Sequence, residues 1–205
     1  FSASLPMVQM GLTTSMIGLA LGQIFFGPLS DKYGRRPLLL VSMLLFIVST
    51  LFCLFAPDIY SFVTLRLIQG IAGAGGIVIS RSVAIDKFSG KELAKMLAVI
   101  GAINGVAPVA APVIGGLLTG SVGWQGIFMI LLFIGILLGI GCIRFKESLP
   151  AEKRSKTGVW ATFRSFGIIV HNRRYMLYVF QLAFAQGILF AYIASSPFII
   201  QQHYG

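Results

Sequence analysis

Arg66 is the one charge lying well inside an apolar run of this chain, residues 61–81. At mid-membrane depth a guanidinium carries a nominal cost of about 2.5 to 3.5 kcal/mol, so some interaction must offset it. It lies about 7 Å below the outer end of its run by helix rise. Two chemistries suit such a group. It can snorkel outward, toward Asp58 for example, or it can sit with Gln69 in a polar core site coupled to protons. The second role needs a protonatable acid, and none lies within the apolar runs. A second concentration of chemistry is GPLSDKYGRRPLLL, residues 27–40, in which Asp31, Lys32, Arg35 and Arg36 separate two stretches without charge. An acid here can accept from free helix amides, Gly27 and Gly34 permit a tight reversal, and Arg35 and Arg36 can hold carboxylates or lipid phosphates. Plain anchoring by positive charge is the alternative, although it would need no aspartate.

Enzymatic and metal chemistry find no support. His171 and His203 are the only histidines and are expected on opposite sides of the membrane. Cys53 and Cys142 lie within apolar runs without metal-ligand spacing, so no catalytic residue, metal or bound cofactor is expected.

The elements that position these groups follow from composition. Of 205 residues 57% are hydrophobic and 11% charged, against about a quarter charged in soluble domains. Six runs, about 7–28, 38–56, 61–81, 94–119, 124–144 and 174–198, are long enough to cross a bilayer as helices. The fold class is therefore all-α membrane protein with six transmembrane helices. The net charge of +10 comes from residues in short connectors and reads as a topology signal, not as nucleic-acid binding. Lys and Arg fall in the first, third and fifth connectors, whereas PDIY and GSVGW contain neither. Odd connectors are thus expected inside and both chain ends outside. No basic leader precedes the first run.

Small residues four apart, Gly18/Gly22, Gly101/Gly105, Gly116/Gly120 and Gly135/Gly139, and the run GIAGAGG at 70–76, predict close helix contacts. The glycine run lacks the strand and spacing of a dinucleotide fingerprint. Pro108 and Pro112 remove backbone donors and are expected to bend the fourth span. The connector 146–173 opens with a polar stretch. Its second part, with Val159, Trp160, Phe163, Phe166 and Val170 at helical spacing, predicts an amphipathic helix on the inner surface, or an extension of the following span. Gln9, Gln23, Gln69, Asn104, Gln181 and Gln186 need partners within apolar surroundings. They face either one another's helices or a substrate cavity, to which Tyr192 would add an aromatic wall.

Three stretches carry a resemblance. Gly27-x-Leu29-x-Asp31-Lys32-x-Gly34-Arg35-Arg36 resembles the signature loop between helices two and three of the major facilitator superfamily. Leu65-Arg66-Leu67-Ile68-Gln69-Gly70 resembles the arginine motif of family helix four, and Pro112-Val-Ile-Gly115-Gly116 the antiporter motif of helix five, with Ala107 and Ala111 where the fuller motif has glycine. The wording is similar to the bicyclomycin/chloramphenicol-resistance (Bcr/CflA) branch of bacterial drug:proton antiporters. The resemblance implies part of a twelve-helix fold covering family helices two to seven. Residues 1–145 would belong to the N-terminal bundle, 146–173 to the central cytoplasmic loop, and 174–205 to the first helix of the C-terminal bundle. It further implies a latch joining the two halves on the cytoplasmic side in the outward-open state, formed by Gly27, Asp31, Gly34, Arg35 and Arg36, with Arg35 placed to reach Asp86. Pro108, Pro112, Gly115 and Gly116 would seal the outer side.

The function this resemblance implies is that of a bacterial inner-membrane exporter of drug-like or amphiphilic small molecules in exchange for protons. Its partners would be the substrate, protons, the lipid bilayer and the remaining helices of the same polypeptide. The alternatives are a small-nutrient importer of the same fold and, in another class, a non-transporting sensor or scaffold.

Overall fold

The structure, a computed structural model, describes residues 5–155, 164, 167 and 170–203. Among them the chain is helical throughout: α1 (Leu5–Tyr33), α2 (Arg35–Leu54), α3 (Ile59–Lys87), α4 (Gly90–Arg144), a single 3-10 turn (Ala151–Lys153) and α5 (Arg173–His203). Six segments are long and apolar enough to cross a membrane, because α4 supplies two, Gly90–Leu118 and Ser121–Arg144. The break between its arms is Gly123, whose φ of 68° and ψ of −178° leave the helical region. Helical dihedrals run through Pro108 and Pro112, so the reversal falls on the glycine and not on the prolines.

At the end where the charges gather, α1, α2 and α3 run beyond the expected spans, whereas α2 stops at Leu54, short of its expected outer end. α1 continues through Pro28 and Asp31 to Tyr33, and a single residue, Gly34, separates it from α2. That residue has a φ of 102°, a region an L side chain rarely occupies. Gly27 lies within α1 and takes no part in the reversal, a correction to its expected role. α3 begins with a self-contained cap: Asp58 Oδ1 accepts the amides of Tyr60 and Ser61, each at 2.9 Å. It then runs past the apolar region through Arg81 and Asp86.

The core is the packing of α1 and α2 on α3. A Cβ added at Gly70 would collide with the Ser15 carbonyl, and one at Gly18 with that of Leu67. At Gly22 it would meet Ala74 Cβ at 2.6 Å. Helix backbones touch here because no side chain intervenes. Phe26, Ala74 and Ile79 are buried beside this crossing, and Ser42 of α2 occupies the space over Gly75. The second arm of α4 lies on α2, with Phe46 and Ile47 against Gly135 and Gly139. Gly101, Gly105 and Gly116 are different: a Cβ there would meet nothing within 4 Å among the described residues. The first arm of α4 and the described part of α5 are exposed along their apolar length. Val159, Trp160, Phe163 and Phe166 of the expected amphipathic helix lie outside the described residues.

Candidate functional site

Two polar constellations stand at different depths of the same three-helix core. At the inner end, α1, α2 and α3 bring Asp31, Arg35 and Asp86 together. Arg35 Nη1 donates to Asp31 Oδ1 at 2.6 Å and to Ser30 Oγ at 2.7 Å, while Nε donates to Asp86 Oδ2 at 2.9 Å and Nη2 to Asp86 Oδ1 at 3.4 Å. The fork thus meets Asp86 with two nitrogens, a geometry lysine cannot copy. The side chains of Arg35 and Asp86 are only 8% and 11% exposed, whereas that of Asp31 is 52% exposed. The anticipated Arg35–Asp86 contact is therefore present.

The free amides of α2 do not go to Asp31. They go to Glu147, in the segment after α4: Oε1 accepts Arg35 N–H at 2.9 Å and Oε2 accepts Arg36 N–H at 3.1 Å. Burial pushes the Glu147 carboxyl upward, yet the amides of Leu149, Arg35 and Arg36 and the charge of Arg154 outweigh it and hold the group below the usual glutamate range. Asp58, at the outer end, is likewise held low by the Ser61 amide and hydroxyl and by the Tyr60 amide. The Arg36 side chain takes no part in the Asp31–Arg35–Asp86 cluster and donates to the Ile143 carbonyl at 3.0 Å. In the sequence Glu147 is one more residue of a polar connector and does not stand out. Its signal is scarcity: the chain has six acids against sixteen Lys and Arg, and this one closely follows the end of a span.

The second constellation surrounds Arg66. Its guanidinium turns inward, away from Asp58, whose own carboxylate is committed to α3. Nη1 donates to Gln69 Oε1 at 2.5 Å, Nη2 to Ser15 Oγ at 3.1 Å and Nε to the Gly11 carbonyl at 3.4 Å. Gln69 Nε2 passes the chain on to Thr50 Oγ1 at 2.6 Å, and Thr50 donates to the Phe46 carbonyl at 2.6 Å. Phe128, from the second arm of α4, lies 5.7 Å from the guanidinium carbon, ring face toward the cation. Phe62, Trp124 and Phe128 pack edge to face, with centroids 5.5 to 6.1 Å apart. No carboxylate pairs with Arg66 among the described residues. Snorkelling is thus replaced by a buried network joining α1, α2 and α3. Ser15, Thr50 and Phe128 do not stand out in the sequence, where serine, threonine and phenylalanine are ordinary helix content.

Arg66 and Gln69 open onto a pocket of about 330 Å³ whose walls include Leu12, Ser15, Leu19, Gly70 and Phe190. Gln23, Asn104, Gln181, Gln186 and Tyr192 are exposed elsewhere on the helices and do not line it. Pro108, Pro112, Gly115 and Gly116 all fall on the first arm of α4.

The family model described as Major Facilitator Superfamily matches residues 1–205. An uncharacterized MFS-type transporter of Bacillus subtilis, YdgK, is 40% identical over 207 residues, covering 100% of this chain and 52% of the relative. A bicyclomycin resistance protein homolog of Haemophilus influenzae is 30% identical, covering 97% of this chain and 50% of that protein. The multidrug transporter MdfA of Yersinia pestis is 29% identical, covering 98% and 49%. The chain spans about half the length of these curated relatives. Among solved structures, the human organic anion transporter MFSD10 aligns with a TM-score of 0.60 at 25% identity, over 73% of this chain and 34% of that one. With six membrane-crossing segments and bacterial relatives, this is a multi-pass protein of the bacterial inner membrane. The chain belongs to the Major Facilitator Superfamily of membrane transporters.

Proposed function

We propose that this chain forms part of a secondary transporter that exports drugs or amphiphilic small molecules in exchange for protons. The carrying observation is Arg66, which sits in a buried polar network, faces a pocket and lacks a fixed counter-ion among the described residues. A guanidinium so placed favours the ionised form of an acid brought near it and loses that partner when the acid takes a proton. Proton binding and release are thereby converted into the breaking and making of a charge contact beside the substrate space. The inner cluster, in which Arg35 gathers acids from α1 and α3, is the N-terminal bundle's side of the latch in this cycle. The names of the Haemophilus and Yersinia relatives add support for drugs as the substrate class. No bound cofactor is required, since the proton gradient supplies the work.

The test is accumulation of a fluorescent amphiphile in efflux-deficient cells carrying the complete protein, with and without a protonophore. Wild type should lower accumulation, and collapse of the gradient should abolish the effect. Arg66→Ala should lose export at normal abundance, and Arg66→Lys should recover only part, because the lysine cannot reach Gln69, Ser15 and the Gly11 carbonyl together. Export that persists with the protonophore, full activity of Arg66→Lys, or accumulation that rises with expression would each refute the antiporter reading, the last in favour of an importer.

A further inference from the structure

α2 starts without a cap of its own. Its N-cap is Gly34, which provides no side-chain hydrogen bond, and no acid stands in its first turn. Glu147, 112 positions after Arg35, supplies the missing acceptor to two amides. The exchange runs both ways, since Arg36 donates to Ile143, one of the last carbonyls of α4 left without a helical partner. An anion from beyond α4 therefore sits at the positive end of α2, and a cation from α2 at the negative end of α4.

The same short segment grips α3. Ser148 Oγ donates at 3.0 Å to Asp86 Oδ2, the oxygen that also receives Arg35 Nε. The Lys87 ammonium lies 5.3 Å from the centre of the Phe145 ring. Leu149 is buried, and the amides of Ser148 and Leu149 donate to Glu147 Oε1 at 3.0 Å each, folding the segment around its own carboxylate. Gly34 leaves the space this requires: a Cβ there would stand 2.5 Å from Glu147 Oε2.

We propose that residues 145–149 form a third arm of the cytoplasmic latch, with Glu147 as its positioning residue. Glu147 fixes the start of α2, and so aims the Arg35 fork at Asp31 and Asp86; Ser148 shares the Asp86 oxygen that the fork needs. Because the central connector begins at Lys146, displacement of that connector reaches Arg35 through Glu147 and Ser148 directly. The inference rests on the latch reading of the signature cluster and is independent of the substrate.

The experiment uses the full-length protein with its exposed native cysteines replaced and one cysteine at Leu19, a partly buried wall of the pocket beside Arg66 and Gln69. Inside-out vesicles are treated with a membrane-impermeant maleimide. Glu147→Gln keeps the shape and removes the charge, and Ser148→Ala removes only the hydroxyl. Each should raise the labelling rate several-fold, up to about tenfold for Glu147→Gln, the worth of one charge-assisted hydrogen bond, and should lower the maximal transport rate with little change in KM. Asp31→Asn is the reference. If it raises labelling while both segment variants leave labelling and transport at wild-type values at matched abundance, the third arm is refuted and the latch stands. If none of the three changes labelling, the latch reading falls with it. If Glu147→Gln lowers abundance, Ser148→Ala decides: unchanged labelling overturns the proposal, and a several-fold rise upholds it.

Discussion

At the scale of the residue, the two carboxylates that meet Arg35 are not equivalent. Asp86 is nearly enclosed and takes two of the three guanidinium nitrogens, whereas Asp31 is half exposed and takes one. Replacing Asp86 by asparagine leaves a buried cation short of its counter-charge, which costs about 3 to 5 kcal/mol. Replacing Asp31 removes a solvent-screened contact worth about 1 kcal/mol or less. In thermal unfolding of the purified full-length protein, Asp86→Asn should therefore melt well below wild type and Asp31→Asn close to it. The reverse order would show that the enclosed pair is not what holds the inner end. Half of this is visible in the sequence. Asp31, Arg35 and Asp86 stand out as charges at span boundaries, and Arg66 with Gln69 as a polar pair one helical turn apart. Ser15, Thr50 and Phe128 do not, since a hydroxyl can bond its own preceding turn and an aromatic ring is at home in lipid. Only the packing of α1, α2 and the second arm of α4 around α3 tells which of them reach Arg66 or its partner Gln69.

At the scale of the element, hydropathy locates the six spans found among the described residues but not their ends. Charge marks where lipid stops, while the helix stops only where a backbone must leave helical dihedrals, as at Gly34 and Gly123. Small-residue spacing is informative to the same degree. Gly18, Gly22 and Gly70 sit at a backbone crossing, but Gly101 and Gly105, at identical spacing, meet no neighbour among the described residues. Spacing says that a helix can be approached, not what approaches it. The contrast yields a test within one helix. Gly70→Ala should force α1 away from α3, since its Cβ would strike the Ser15 backbone and not a side chain able to yield; overpacking of this kind costs about 1 to 3 kcal/mol or more. Gly76→Ala meets only Met43 Cε at 3.6 Å, an ordinary contact, and should be tolerated. Abundance and monodispersity in detergent report both, and equal behaviour of the two variants would refute the crossing.

At the scale of the whole molecule, orientation follows from where Lys and Arg gather. The inner cluster, the Lys87–Phe145 contact and the capping segment all lie at one end of the bundle, and the Asp58 cap and Gly123 break at the other. Single cysteines at Ser121 and Ser155, in a chain without Cys53 and Cys142, should react with an impermeant reagent from outside and from inside respectively. External labelling of both in intact cells would invert or break this topology.

The one-residue link at Gly34 also sets a phase. Successive positions on an α-helix are about 100° apart, and with so short a link α2 has no slack in which to absorb a change of register. One inserted residue would turn the whole helix by that angle. Arg35 would leave Asp86, Ser42 would leave the notch over Gly75, and Thr50 would leave Gln69. The two polar constellations, about 30 Å apart along α3 by helix rise from Arg66 to Asp86, are thus kept in phase by the backbone dihedrals of one residue, and the length of the signature cluster is as strictly constrained as its chemistry.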